Sequence, residues 1–147
     1  LNALNLSRAF ISTLAVGIMQ RALDEAVAYA KQRKQFGRRL IDFEMVQAML
    51  ADMAIKTEAA RVLVNNCMRQ MDAGEMVRKD GAIVKTFVTD AMQEVVSNAV
   101  QVLGGYGYSE EYPVEKLMRD AKIFQIFEGS NQIQRMTIAK ELDREYR

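Results

Sequence analysis

Eight positions between Val46 and Met71, spaced alternately four and three residues apart, carry Val, Leu, Met, Thr, Ala, Val, Cys and Met. Such an a/d seam belongs to a helix that buries one stripe against its neighbours, and only Thr57 in it is not fully apolar. It predicts a helix from near Phe43 to about Asp72. A single proline, with long Ala-, Met-, Val- and Gln-rich stretches, extends the helical reading to the whole chain. A first helix is expected from about Leu6 to about Gln32. It is apolar on more than one face, with Phe10, Leu14 and Gly17 on one side and Ile11, Ala15, Ile18 and Ala22 on another. A helix apolar nearly all round is usually buried between layers or subunits. A third helix is expected from roughly Gly81 to Leu103, striped by Val84, Val88, Ala91, Val95, Ala99 and Val102. Pro113 fits the first turn of a short fourth helix ending near Ala121, and a last helix is expected from Ser130 to about Tyr146. The fold class implied is all-α: an antiparallel four-helix bundle with an additional short helix.

Composition narrows the chemistry. The chain has 147 residues, half of them apolar, enough for one compact domain with a core. Basic and acidic residues number 20 and 19, so the basic excess of a nucleic-acid binder is missing. No apolar run is long enough to span a bilayer. Cys67 is the only cysteine and falls among apolar neighbours, which suits a small buried hydrophobe. There is no histidine. That removes Ser-His and Cys-His pairs and most zinc sites, so no metal site is expected. Proton transfer must rest on a carboxylate, a Lys, a Tyr or a cofactor. The chain starts at Leu1 without a Met and shows no signal or transit peptide. It reads as a fragment of a longer protein.

Three segments are unusual for a plain bundle. The run from Arg33 to Arg39 (Arg-Lys-Gln-Phe-Gly-Arg-Arg) puts four cations, an aromatic and a glycine where the first helix ends. It suits a basic helix C-cap, or an anion site in which Arg grips a phosphate or pyrophosphate. Glycines 104, 105 and 107 lie between Gln101 and Tyr108. One helix cap needs fewer glycines, and close approach of a flat ligand to bare backbone would explain the excess. Finally, Glu128 sits among Ile126, Phe127 and Gly129 just before a helix. The simpler reading is a carboxylate complementing the helix N-terminus. The other is a base, since apolar surroundings raise a glutamate's basicity.

Six pieces then occur in order: Arg33-x-Gln35-Phe36-Gly37, Leu50-Ala51-Asp52-Met53, Gln101-x-x-Gly104-Gly105-x-Gly107, Glu111-Tyr112-Pro113-Val114-Glu115, Arg119-Asp120, and Ile126-Phe127-Glu128-Gly129-Ser130. As a set they resemble the C-terminal helical domain of acyl-CoA dehydrogenases, most closely the straight-chain, medium- and short-chain branches. The resemblance covers essentially the whole chain. It implies that residues 1–147 are that domain, with an N-terminal helical domain and a middle β-domain outside it. It also implies FAD as cofactor, oxidation of an acyl-CoA thioester to trans-2-enoyl-CoA, and transfer of electrons to an electron-transfer flavoprotein. A homo-oligomer, dimer or tetramer, in a bacterial cytoplasm or mitochondrial matrix follows in the same way.

By the same resemblance Glu128 is the catalytic base and Gly129 touches substrate. Arg33, Gln35 and Phe36 lie against the FAD of a neighbouring subunit. Glu44, Gln101, Gly104, Gly105, Ser130 and Gln132 fall at FAD-contacting positions, and Asn5 and Arg8 hold the CoA part of the substrate. The chain departs from the family pattern at three of these places and at one beside them. Asn5 stands where Asp is frequent, Glu44 where Gln is usual, Ser130 where Thr is commoner, and Phe127 where Tyr is commoner. Two other readings compete: an acyl-CoA oxidase domain, and a stand-alone helical oligomerisation or binding module. By this resemblance the fragment alone is expected to be inactive or nearly so.

Overall fold

The computed structural model describes residues 2–75 and 77–147, excepting the side chains at positions 2, 3 and 5. It is all-helical apart from one short hairpin. The helices are α1 (Asn2–Gln32), α2 (Glu44–Asp72), α3 (Arg78–Leu103), α4 (Val114–Ala121) and α5 (Asn131–Glu145). Two-residue strands β1 (Lys34–Gln35) and β2 (Arg38–Arg39) lie between α1 and α2. Short 3-10 turns cover Leu40–Asp42, Gly104–Tyr108 and Lys122–Gln125. The long helices α1, α2, α3 and α5 form the bundle, with α4 as the additional short helix.

Six of the eight seam positions in α2, Leu50, Met53, Thr57, Ala60, Val64 and Cys67, are in the core, and the end positions Val46 and Met71 are half-buried against it. Thr57 fits there because its hydroxyl donates to Met53 O at 2.8 Å, satisfying itself within its own helix. The whole α3 stripe is buried too, and α3 is the central helix, contacted by α1, α2, α4 and α5. Successive long helices run in opposite directions. Arg61 reaches Gln20 from α2 to α1 at 2.6 Å, Lys56 pairs with Glu94 on α3 at 2.6 Å, and Lys79 pairs with Glu145 at the far end of α5 at 2.5 Å.

Three expectations need correction. Helix α1 starts at Asn2 rather than Leu6, because Asn2, Ala3 and Leu4 carry nothing that stops a helix. Helix α3 starts at Arg78 rather than Gly81, and Gly81 lies buried in its first turn with its N–H on Val77 O at 2.8 Å. The basic run is not a simple helix cap. It folds into an antiparallel hairpin pairing Lys34 with Arg39 and Gln35 with Arg38. Phe36 (φ 53°) and Gly37 (φ 75°) make its two-residue turn, and left-handed φ at both central positions matches the twist of a tight hairpin. Of the two α1 faces, Ile11, Ala15 and Ala22 are buried, whereas Phe10 and Leu14 are 54% and 64% exposed. Among the described residues no helix is long and apolar enough to cross a membrane.

Candidate functional site

The residues singled out from the sequence fall into two groups at opposite ends of the domain. The first surrounds Glu128. After the 3-10 turn, Ile126 and Phe127 both donate their N–H to Ile123 O, at 2.9 and 3.0 Å. The chain then reverses through Glu128 (φ 56°) and Gly129 (φ 85°). Among the described residues only Phe36 and Glu128 are non-glycines with positive φ. That conformation costs an L-residue about 1–2 kcal/mol and collects at functional sites. Glu128 does not cap α5. Ser130 is the N-cap, its hydroxyl accepting from Ile133 N at 3.5 Å. The Glu128 carboxylate instead turns to α1 and accepts from Ser7 Oγ at 2.8 Å.

Arg8 lies beside this loop: a Cβ built on Gly129 would stand 3.9 Å from its Nη2. Burial lowers the pKa of the Arg8 guanidinium and Arg78 lowers it further, with Glu128 pulling the other way. Asn5 belongs to α1, but its side chain lies outside the described residues. Gln132 is exposed on the first turn of α5. Phe127 packs edge-to-face on Phe124 with centroids 5.0 Å apart, whereas Ile126 is 55% exposed. The apolar wall expected around Glu128 is therefore only half formed by this chain.

Beneath the loop lies a polar network that sequence reasoning did not find. Lys85 is fully buried on α3, and its Nζ donates to Gly129 O at 2.9 Å and to Asn131 Oδ1 at 2.7 Å. Gln134, also fully buried, donates through Nε2 to Glu128 O at 3.1 Å and Gly129 O at 2.9 Å. Asn131 in turn donates to Thr89 Oγ1 at 2.8 Å and Asp90 Oδ1 at 2.7 Å. Burial alone would raise the pKa of the Asp90 carboxyl. Hydrogen bonds from Arg135, Asn131 and Gln125 outweigh it and hold the carboxyl below its ordinary value. The available signal was Lys85 itself, a lysine between Val84 and Thr86 in the α3 segment that turns inward.

Burial pushes the Lys85 amine down from 10.5 to about 8, with Asp90 and Glu128 holding it up and Arg8 pressing it lower. Its folded pKa thus lies below its unfolded one. Between about pH 8 and 10.5 the unfolded chain keeps the proton that the folded chain has released, so this group's contribution to stability rises with pH across that window. The urea-unfolding stability of the full-length protein, measured relative to its Lys85→Met variant, is expected to grow from about pH 8 to 10.5. A constant or shrinking difference contradicts the assignment.

The second group lies at the hairpin end. A cavity of about 640 Å³ is lined by Tyr29, Arg33, Gln35, Gly104, Gly105 and Tyr106 among others. Two of the four cations are tied up locally. Arg39 makes a two-pronged contact with Asp42 at 3.0 and 2.8 Å, and the Arg38 guanidinium lies 4.5 Å over the Phe43 ring. Arg33 instead lies 5.5 Å over Tyr106, beside Gly104 and Gly105. Nothing stands within 4 Å of where a Cβ would be on either glycine. Bare backbone, open space and a guanidinium fork fit an anionic, flat-ended ligand. Phe36 (92% exposed) and Glu44 line an adjoining cavity of about 510 Å³ that shares Gln35. Gln101 is exposed on the last turn of α3 and does not line the first cavity. From Arg8 to Gln32 the helix rises roughly 36 Å, so the two groups cannot surround one reacting atom.

The family model for the acyl-CoA dehydrogenase C-terminal domain matches residues 1–142. A probable acyl-CoA dehydrogenase of Mycobacterium tuberculosis is 49% identical over 143 residues, 97% of this chain and 37% of that protein. The caffeyl-CoA reductase-Etf complex subunit CarC of Acetobacterium woodii is 42% identical over 139 residues, 95% of this chain and 37% of that protein. Among solved structures, butyryl-CoA dehydrogenase from Megasphaera elsdenii superposes with a TM-score of 0.94 at 45% identity, over 96% of this chain and 37% of that one. The chain thus spans a little over a third of the length of the relatives it matches.

Proposed function

Since the chain belongs to the acyl-CoA dehydrogenase family and matches its C-terminal domain, we propose that it supplies the catalytic base and part of the flavin surface of an FAD-dependent acyl-CoA dehydrogenase. The remaining domains, helical and β, belong to the longer protein. The observation that carries this reading is the Glu128 carboxylate, held on a left-handed turn and facing Ser7 of α1.

In this reading Glu128 takes the α-proton of the thioester. The electron pair released at the α-carbon forms the new double bond as the β-hydrogen departs with its own pair, giving the trans-2-enoyl-CoA. Bound FAD would supply the acceptor for that hydrogen and electron pair. The charge that develops on the thioester oxygen needs a donor, and the Glu128 N–H is the one this chain offers. Gly129 lies next to the base where it can touch substrate, Arg8 offers a cation to the CoA end, and Asn5 is assigned to the same end by the family likeness. Phe127 and Ile126 help exclude water once substrate and the missing domains close over them.

At the hairpin end, Arg33, Gln35 and Phe36, with Glu44, Gln101, Gly104 and Gly105, serve the FAD of a neighbouring copy. Ser130 and Gln132 serve the flavin beside Glu128. The separation of the two groups supports this division, in which the enzyme works as a homo-oligomer. Arg33→Ala in the full-length protein is expected to lower flavin content after gel filtration several-fold. Retention at the wild-type level would remove Arg33 from the site.

An electron-transfer flavoprotein is the expected electron partner. Proton transfer at Glu128 is reversible, so the same residue would return the proton in enoyl-CoA reduction; the Acetobacterium woodii relative is named as a subunit of a caffeyl-CoA reductase. A chain-length series of acyl-CoAs on the full-length protein with a ferrocenium-type acceptor tests the proposal. It predicts flavin-dependent turnover to the trans-2-enoyl product with an optimum length. Flavin-loaded protein that oxidises none of them contradicts it.

A further inference from the structure

Among the described residues Lys85 is the largest of the fully buried side chains. A buried amine is tolerated only when hydrogen-bonded, and a methionine would fill a similar length of core without that demand. What the amine does is therefore informative. It spends one hydrogen bond on Gly129 O at 2.9 Å and another on Asn131 Oδ1 at 2.7 Å. Gln134 spends both of its donor contacts on the same loop, at Glu128 O (3.1 Å) and Gly129 O (2.9 Å). Two buried side chains from different helices thus place three hydrogen bonds on two consecutive carbonyls. Those carbonyls belong to two successive residues with left-handed backbone, Glu128 and Gly129.

The packing leaves no slack. A Cβ on Gly129 would lie 2.6 Å from Gln134 Nε2. Asn131, which receives the second Lys85 bond, is itself held by Thr89 at 2.8 Å and by Asp90 at 2.7 Å. Asp90 is anchored by Arg135 at 2.6 Å and Gln125 at 2.8 Å.

We propose that Lys85 and Gln134 are positioning residues for Glu128: they clamp the 128–129 backbone from below, so that a turn disfavoured for glutamate keeps its carboxylate directed toward α1. This inference rests on Glu128 being the base. Released from the clamp, a non-glycine residue favours negative φ, and the carboxylate moves with the backbone. A base must approach its proton to about 2.6–3.2 Å, and a misplacement of about 1 Å can cost on the order of 100-fold in rate.

The test uses the full-length flavoprotein and butyryl-CoA as probe. Lys85→Met removes two donors, and Gln134→Met removes the other two without touching the buried charge. Each is expected to bind butyryl-CoA with KM within about three-fold of wild type. Flavin reduction at saturating substrate, per bound flavin, is expected to fall roughly 10- to 100-fold. The isotope effect from α-deuterated butyryl-CoA should rise, because proton abstraction becomes the slow step. A residue that only supports the fold would lower flavin content or thermal stability and leave the rate per bound flavin and the isotope effect unchanged. That outcome in both variants overturns the proposal. Glu128→Gln measured alongside separates the two ideas. If it reduces flavin normally, the base assignment fails. If it is inactive while both clamp variants match wild type, only the clamp fails.

Discussion

Glu128→Gln in the full-length protein is expected to bind FAD and unfold at the wild-type temperature, while turnover falls about 10²- to 10⁴-fold. Gln has nearly the shape of Glu, and its amide oxygen can still accept the Ser7 hydroxyl now 2.8 Å from the carboxylate. The clamp beneath the loop holds the backbone carbonyls of residues 128 and 129, so replacing the side chain leaves it intact. The substitution therefore removes little except the capacity to accept a proton. This chain itself has no histidine to substitute for it. Normal bleaching of the flavin by an acyl-CoA in this variant would move the base elsewhere.

Gly107→Ala is expected to have the largest effect on stability. Gly107 is buried in the 3-10 turn after α3. A Cβ there would lie 2.5 Å from Val100 O, 2.9 Å from Leu103 Cβ and 3.0 Å from Val100 Cα. None of these atoms is the loose end of a side chain, so either the last turn of α3 or the glycine turn must move. Overpacking of this kind costs about 1–3 kcal/mol. The displaced turn also carries Gly104 and Gly105, which line the cavity with Arg33, so flavin content should fall together with the unfolding temperature. Gly105→Ala is the contrast. Nothing lies within 4 Å of its Cβ position. Its stability should stay within about 0.5 kcal/mol of wild type, while flavin retention should drop because the methyl would enter the space proposed for the flavin. Equal unfolding temperatures for Gly107→Ala and wild type would contradict the geometry.

Periodicity made the bundle legible. The α2 seam and the α3 stripe are set by side-chain spacing; the stripe is buried throughout and the seam everywhere but at its half-buried ends, Val46 and Met71. Helix ends were less legible. Arg78, Lys79 and Asp80 carry α3 one turn past Gly81, because a buried glycine in a first turn need not be a start. The hairpin at 34–39 was not legible, since its turn places Phe36, a residue with no preference for positive φ, beside Gly37. At the site, local chemistry left Glu128 open between helix terminus and base, and the ordered motifs favoured the base. The structure gives the terminal role to Ser130. Ser7 and Gln134 carried no signal, because a serine near a helix start and a glutamine within α5 look ordinary until the fold brings them to residues 128 and 129. Lys85 did carry one, a charged residue in the inward-facing part of α3.

Proton abstraction can be isolated from oxidation with an acyl-CoA bearing sulfur at the β-position, which has an α-hydrogen to lose but no β-hydrogen to transfer. The full-length flavoprotein is incubated with this thioester in D2O and the recovered thioester is weighed by mass spectrometry. The wild type is expected to exchange α-hydrogen for deuterium, and flavin-loaded Glu128→Gln to exchange it at least about 100-fold more slowly. Exchange at the wild-type rate in that variant would contradict the assignment of Glu128 as the base.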